Sequence, residues 1–141
     1  SPFGKYKNPN IVNEITIKAV SKYFNANNIT IINGDFENAV KNIRKGAFVY
    51  FDPPYDPISK SSNFTGYVQG GFNIIDQIRL RKLCDKLNKK GVKFLVSNSA
   101  TPFILEQYSD YNITFVKANR AINSDASKRG EVDEVLIRNY E

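Results

Sequence analysis

Residues 48–55 read Phe-Val-Tyr-Phe-Asp-Pro-Pro-Tyr. Within Asp52–Tyr55 the chain collects a carboxylate, two proline carbonyls and a flat phenol ring. The apolar run before them has the composition of a buried strand. The prolines then end it, because they give no N–H to a ladder and fix their own φ angles. They also hold Asp52 away from helical geometry. The result is a stiff corner at the carboxyl end of a strand, the place where open α/β sheets bind their ligands. Acceptors that no ladder claims, set beside an aromatic ring, suit a planar heterocycle carrying an exocyclic amino group. The competing reading is a strand-ending proline turn that happens to carry an acid.

Such a corner offers a specific chemistry. The amino group of adenine is a poor nucleophile because its lone pair is delocalised into the ring. Two acceptors holding its N–H bonds favour a more tetrahedral nitrogen, which can attack an activated methyl group in line without a covalent enzyme intermediate. The contribution is positioning and electrostatics. A base inside a duplex must first be flipped out, and an aromatic side chain then stacks on it.

The Asp52-Pro53-Pro54-Tyr55 run resembles the amino-methyltransferase signature Asp/Asn/Ser-Pro-Pro-Tyr. Its Asp form is typical of DNA adenine-N6 methyltransferases that use S-adenosylmethionine. Asn33-Gly34-Asp35-Phe36 resembles the segment that contacts the cofactor's adenine in that family. Residues 118–124 with 128–136 are similar to the closing hairpin of Dam-type (class alpha) enzymes, and Pro2–Lys7 to the end of their target-recognition region. The resemblance covers almost the whole chain, in family order. It implies an α/β, Rossmann-like methyltransferase fold of three layers with a terminal antiparallel hairpin. It implies that Asp52 and the Pro53 carbonyl hold the amino group at a corner stiffened by Pro54, that Tyr55 stacks on the flipped base, and that Asp35, Phe36 and Asp52 serve the cofactor. Residues 1–9 correspond to the end of the recognition region and 10–141 to the carboxyl-terminal part of the catalytic domain.

The elements that must position these groups follow in order. Asn10 is expected to cap a packing helix with Ile11, Val12, Ile15, Ala19 and Tyr23 on its apolar face. Ile29–Asn33 reads as a short strand. Asp35 is placed to cap a helix bearing Phe36, Ala39, Val40 and Ile43, a structural role that does not exclude a cofactor contact; Phe36 reads equally as a core residue. Residues 56–72 show no periodicity and suit a lid over the corner. Asn73 caps the next helix, with Asp76 in its first turn and Ile74, Ile75, Ile78, Leu83, Cys84 and Leu87 as its core stripe. Arg79, Arg81, Lys82, Lys86, Lys89 and Lys90 read as its solvated face. Gly91 stops that helix. Val92–Ser97 is a buried strand ending in Ser97-Asn98-Ser99, where pocket lining and turn formation compete as readings. Thr101-Pro102 opens a short helix to Tyr108. Ile113–Lys117 and Val132–Ile137 form an edge hairpin.

A net charge of +6 fits a polyanionic partner. The candidate contacts to double-stranded DNA are Lys5, Tyr6, Lys7 and Asn8, then Lys60 on the loop, and Arg120, Lys128 and Arg129 at the hairpin tip. Each is also explained as an exposed polar residue. The single cysteine excludes an internal disulfide. Cys84 falls mid-helix on the apolar side, badly placed for the nucleophile that cytosine-C5 transfer needs. With no histidine and no cysteine cluster, no metal site is expected. There is no run of apolar residues long enough to span a membrane, and a soluble cytoplasmic protein is expected. The 141 residues contain no Met and no Gly-x-Gly, the core of the family's cofactor loop. The chain therefore reads as a fragment, inactive alone and with an exposed apolar gap open to self-association. Two other readings stay open: a nucleic-acid-binding fragment without catalysis, and an amino-methyltransferase acting on RNA adenine or cytosine N4.

Overall fold

The computed structural model describes residues 11–58, 71–119 and 131–141. The chain divides into two units, Ser1–Asp35 and Phe36–Glu141.

In the first unit, α1 spans Glu14–Ala26 and starts where the Asn13 side chain accepts from the Thr16 N–H at 3.0 Å. The cap is thus Asn13; the expected cap, Asn10, lies outside the described residues. Ile15 and Tyr23 on the anticipated apolar face are exposed, as are Ile11 and Val12 before the helix. An amphipathic stripe is buried only by a neighbouring element, and α1 has no buried residue. Ile29–Asn33 is not a strand. A β-rich composition makes a strand only when a second ladder pairs with it, and no strand of the first unit is there to do so among the described residues.

The second unit holds a four-stranded sheet in the order β1-β2-β4-β3. Its strands are β1 (Phe48–Phe51), β2 (Lys93–Ser99), β3 (Asn112–Asn119) and β4 (Glu131–Arg138). β1 and β2 are parallel, with Phe51 opposite Val96. β4 runs antiparallel to both β2 and β3, so the last two strands form the anticipated edge hairpin. Because strand side chains alternate between faces, Phe51, Phe94, Val96, Val135 and Ile137 share one face and are buried. They form one core with Leu80, Leu83, Cys84 and Leu87 of α3 (Ile74–Lys89), with Ile104 of α4 (Pro102–Gln107) and with Tyr108. On the opposite face Phe48 and Tyr50 of β1 are exposed. β1 is therefore an edge strand with aromatic side chains open to solvent. The expected three layers are reduced, among the described residues of this unit, to a sheet with helices packed on one face.

α2 is a single turn, Phe36–Ala39, shorter than the pattern to Ile43 suggested. α3 begins at the expected Asn73 cap with a full capping box: Asn73 and Asp76 satisfy one another's backbone N–H groups. Its core stripe is displaced from expectation. Ile74 and Ile75 are exposed, whereas Gln77 and Leu80 are buried with Leu83, Cys84 and Leu87. The helix ends at Gly91, whose positive φ of 73° reverses the chain into β2. Arg81 is not part of a solvated face. It pairs with Asp85 and Asp110, and its guanidinium lies 4.6 Å from the Tyr111 ring centroid. The short helix α4 has the expected Thr101 cap and Pro102 start.

Candidate active site

The Asp-Pro-Pro-Tyr corner leaves the sheet at the carboxyl end of β1, directly beside the carboxyl end of the parallel strand β2. Asp52 and Pro54 are exposed, and Pro53, Tyr55 and Asp56 are half-buried. β2 supplies the side chains that grip it. Ser97, buried on the face away from the helices, donates to Asp52 Oδ1 at 2.8 Å and accepts from the Tyr50 hydroxyl at 3.1 Å. The Ser97 hydroxyl has one hydrogen, so the longer approach to the Phe51 carbonyl, 3.4 Å, is secondary. One carboxylate oxygen of Asp52 is thus held by a fixed donor, and the other accepts no hydrogen bond from the described residues.

The next residue of β2 grips the corner from the core side. Asn98 Oδ1 accepts from the Asp56 N–H at 2.9 Å. Its amide donates to Gln77 Oε1 at 3.1 Å, and Gln77 Nε2 donates to the Pro54 carbonyl at 2.9 Å. Thr101 completes the link, donating to Asp56 Oδ2 at 2.6 Å while capping α4. The Pro54 carbonyl therefore already accepts one hydrogen bond, from Gln77. Among the described residues no donor is bonded to the Pro53 carbonyl. Asp52 Oδ2 and the Pro53 carbonyl are thus the acceptors of the corner that carry no bond from a described residue.

Burial raises the Tyr55 phenol above its ordinary range; contact with Ser97 works against this, and the carboxylates of Glu134 and Asp52 add to it. The phenol is therefore neutral at physiological pH. A cleft of about 310 Å³ opens next to this corner, lined by Ile58, Ala100, Thr101, Pro102 and Asp133.

The cofactor candidates divide between the units: Asp35 closes the first and Phe36 opens the second. Phe36 is half-buried, packed against the core, tilted on Phe72 at 6.0 Å and covered by the Arg79 guanidinium at 5.0 Å. Its core role is thus realised. Lys5, Tyr6, Lys7, Asn8, Lys60, Arg120, Lys128 and Arg129 all lie outside the described residues, as does most of the anticipated lid. Among the described residues no group of three or more His, Cys, Asp and Glu side chains could hold a metal ion. No described helix is long and apolar enough to cross a membrane.

Comparison with known proteins decides the family. Residues 1–122 match the model of the D12 class N6 adenine-specific DNA methyltransferases. The chain belongs to this family. It is 47% identical over 139 residues to the type II methyltransferase M1.LlaDCHI of Lactococcus lactis subsp. cremoris, covering 99% of this chain and 49% of that protein. It is 45% identical over 141 residues to the type II methyltransferase M.MjaIII of Methanocaldococcus jannaschii, covering 99% and 48%. A DNA adenine methylase of Vibrio cholerae is 33% identical over 136 residues, covering 96% and 48%. The chain thus spans about half the length of the curated relatives it matches. Within this family frame, Gln77 is a corner residue that the sequence reading places only in a helix, Thr101 is one that it reads only as a helix cap, and Asn98 is one for which it leaves pocket lining and turn formation open. For Gln77 a signal existed: an amide at the helical spacing of Leu80, Cys84 and Leu87.

Proposed function

We propose that these residues form the catalytic corner of a site-specific DNA methyltransferase that moves a methyl group from S-adenosylmethionine to adenine N6 in duplex DNA. The observation that carries the reading is the corner's division of labour. Ser97 holds one oxygen of Asp52, and Gln77 engages the Pro54 carbonyl. The second Asp52 oxygen and the carbonyl of the next residue, Pro53, are the acceptors we assign to the two N–H bonds of one amino group. Held in this way, the nitrogen becomes more tetrahedral, and its lone pair is drawn out of conjugation with the ring and becomes nucleophilic. The half-buried Tyr55 ring stacks on the flipped base, and Pro54 keeps the acceptors from drifting. The reaction is then accelerated by orientation and by preorganised acceptors.

The exposed carboxylate of Asp52 and the half-buried ring of Phe36, one face of which lies under Arg79, are the groups that would meet a cofactor bearing an ammonium group and an adenine. S-adenosylmethionine supplies the electrophilic methyl group when bound. Asp35, Phe36 and Asp52 are the residues we assign to it. We read the sheet as part of a Rossmann-like methyltransferase fold, residues 1–9 as the end of a target-recognition region and 10–141 as the carboxyl-terminal part of the catalytic domain. The basic residues Lys5, Lys7, Lys60, Arg120, Lys128 and Arg129, with Tyr6 and Asn8, are assigned to DNA. The open β1 edge makes self-association part of this reading, and a monomer by light scattering would remove that part.

A hybrid tests the proposal. These 141 residues replace the matching half of the Lactococcus relative, and labelled S-adenosylmethionine is offered with adenine-containing duplexes, with duplexes lacking adenine, and with RNA. Incorporation dependent on duplex adenine is expected. Incorporation only into RNA or into cytosine would move the substrate, and retained DNA binding with no incorporation into any of them would leave a binding protein.

A further inference from the structure

Gln77 and Asn98 are primary amides in places where this fold otherwise puts hydrocarbon. Gln77 lies on the core stripe of α3 and is 2% exposed; Asn98 lies on the helix-facing side of β2 and is fully buried. A hydrogen-bonded polar pair in a core gives stability no advantage over apolar side chains of the same shape. Packing alone does not account for amides at these positions.

Their bonds point to what they do. Gln77 Nε2 donates to the Pro54 carbonyl at 2.9 Å, and Asn98 Oδ1 accepts from the Asp56 N–H at 2.9 Å. These are the peptide groups immediately before and immediately after Tyr55. The two amides are joined to each other, Asn98 Nδ2 to Gln77 Oε1 at 3.1 Å, and Asn98 Oδ1 is fixed in turn by the Ser99 N–H at 2.9 Å. Thr101 anchors the Asp56 side chain at 2.6 Å. With the peptide on each side of it pinned, Tyr55 has little backbone freedom, and the direction of its ring is set by α3 and β2 together. The same bond from Gln77 fills one of the two lone-pair sites of the Pro54 carbonyl.

We propose that Gln77 and Asn98 form a buried clamp that positions the Tyr55 ring and the Pro53 carbonyl for methyl transfer. Neither amide touches the reacting atoms, so both are positioning residues. The inference rests on the reading of the corner as the site of adenine methylation, and its test separates the two.

Gln77→Glu keeps the acceptor for Asn98 and loses the donor to Pro54. Asn98→Asp keeps both backbone acceptances and loses the donor to Gln77. Gln77→Met removes both bonds at similar volume. Each is made in the active hybrid and in the 141-residue chain. Unfolding by urea gives the folded fraction, to which rates are normalised. The clamp predicts that kcat per folded molecule falls by about tenfold to a hundredfold, as displacement of a positioning group does, while KM for duplex DNA stays within about twofold, as expected when only transition-state geometry is lost. In the chain itself, the wild type should show a scalar coupling across the hydrogen bond from the Gln77 amide to the Pro54 carbonyl, and Gln77→Met should broaden the Tyr55 backbone resonances. A role confined to packing would lower the urea midpoint and leave kcat per folded molecule unchanged. That result, with an active wild type, overturns the clamp alone. A wild-type hybrid that folds and does not methylate adenine overturns the reading of the site, and the clamp with it.

Discussion

Ser97→Ala is the most direct probe of how Asp52 is held. The Ser97 hydroxyl donates to Asp52 Oδ1 at 2.8 Å and accepts from Tyr50 at 3.1 Å, and Ser97 itself is only 4% exposed. A buried hydrogen bond to a charged group contributes about 1.5–3 kcal/mol. Asp52 is exposed, so water replaces much of what is lost and screens the rest, which lowers the expected cost in stability to about 1 kcal/mol. Tyr50 is 54% exposed and can rehydrate its hydroxyl, adding little. The midpoint of thermal unfolding should fall by about 2–5 °C for a chain of this size. The effect on transfer is of another kind. Without the fixed donor the Asp52 carboxylate rotates, and the geometry of the acceptor pair is lost for part of the time. A tenfold fall in kcat, equivalent to about 1.4 kcal/mol of barrier, is expected with KM for DNA unchanged. Urea unfolding of the 141-residue chain and steady-state transfer by the hybrid measure the two quantities separately. Wild-type stability together with wild-type kcat would show that Asp52 is oriented by something other than β2.

Asp52→Ala should lower methylation by the hybrid by more than about a hundredfold, the scale of a lost preorganised electrostatic partner, while gel-shift affinity for duplex DNA persists; unchanged methylation would dismiss the catalytic assignment. Burial pushes the Cys84 thiol up to about 12, against an ordinary value of 9.0. Folded and unfolded thiols are both neutral below about pH 9, so stability there is unaffected; from pH 9 to 12 only the unfolded thiol ionises, and the urea midpoint should fall as pH rises through that window. At pH 8 a thiol reagent should modify Cys84 no faster than the chain unfolds. Leu80→Ala should cost about 2–5 kcal/mol and Ile75→Ala less than about 0.5 kcal/mol, the reverse order to a stripe centred on Ile74 and Ile75. Calorimetry with S-adenosylmethionine should show no micromolar binding to the 141-residue chain, which lacks a Gly-x-Gly loop, and binding to the hybrid.

Several local signals hold in the fold, although α1 is capped by Asn13 and not by Asn10, and α2 stops at Ala39. Asn73, Thr101, Pro102 and Gly91 mark the ends of α3 and α4 because caps and positive φ values depend on a few neighbouring atoms. The Phe48–Phe51 strand and its Asp-Pro-Pro-Tyr corner are legible for the same reason: proline fixes backbone geometry wherever it stands. The larger failures involve partners. Ile29–Asn33 has the composition of a strand and no ladder, and α1 has an apolar face that nothing in its unit buries. Ile74 and Ile75 are as hydrophobic as any residue of α3, yet the side of the helix that meets the sheet is the side of Gln77 and Leu80.

The same distinction runs through the candidate site. The residue types of the corner, its stiffness and its place at the end of a strand follow from eight consecutive residues, because they depend on covalent geometry and hydrophobic run length. Which carbonyl is hydrogen-bonded, which oxygen of Asp52 is held and how the backbone around Tyr55 is pinned depend on Gln77, Ser97, Asn98 and Thr101, 23 to 45 residues from their partners along the chain. Only the parallel pairing of β1 with β2, and the packing of α3 beneath them, brings those hydroxyls and amides within hydrogen-bonding distance of the corner.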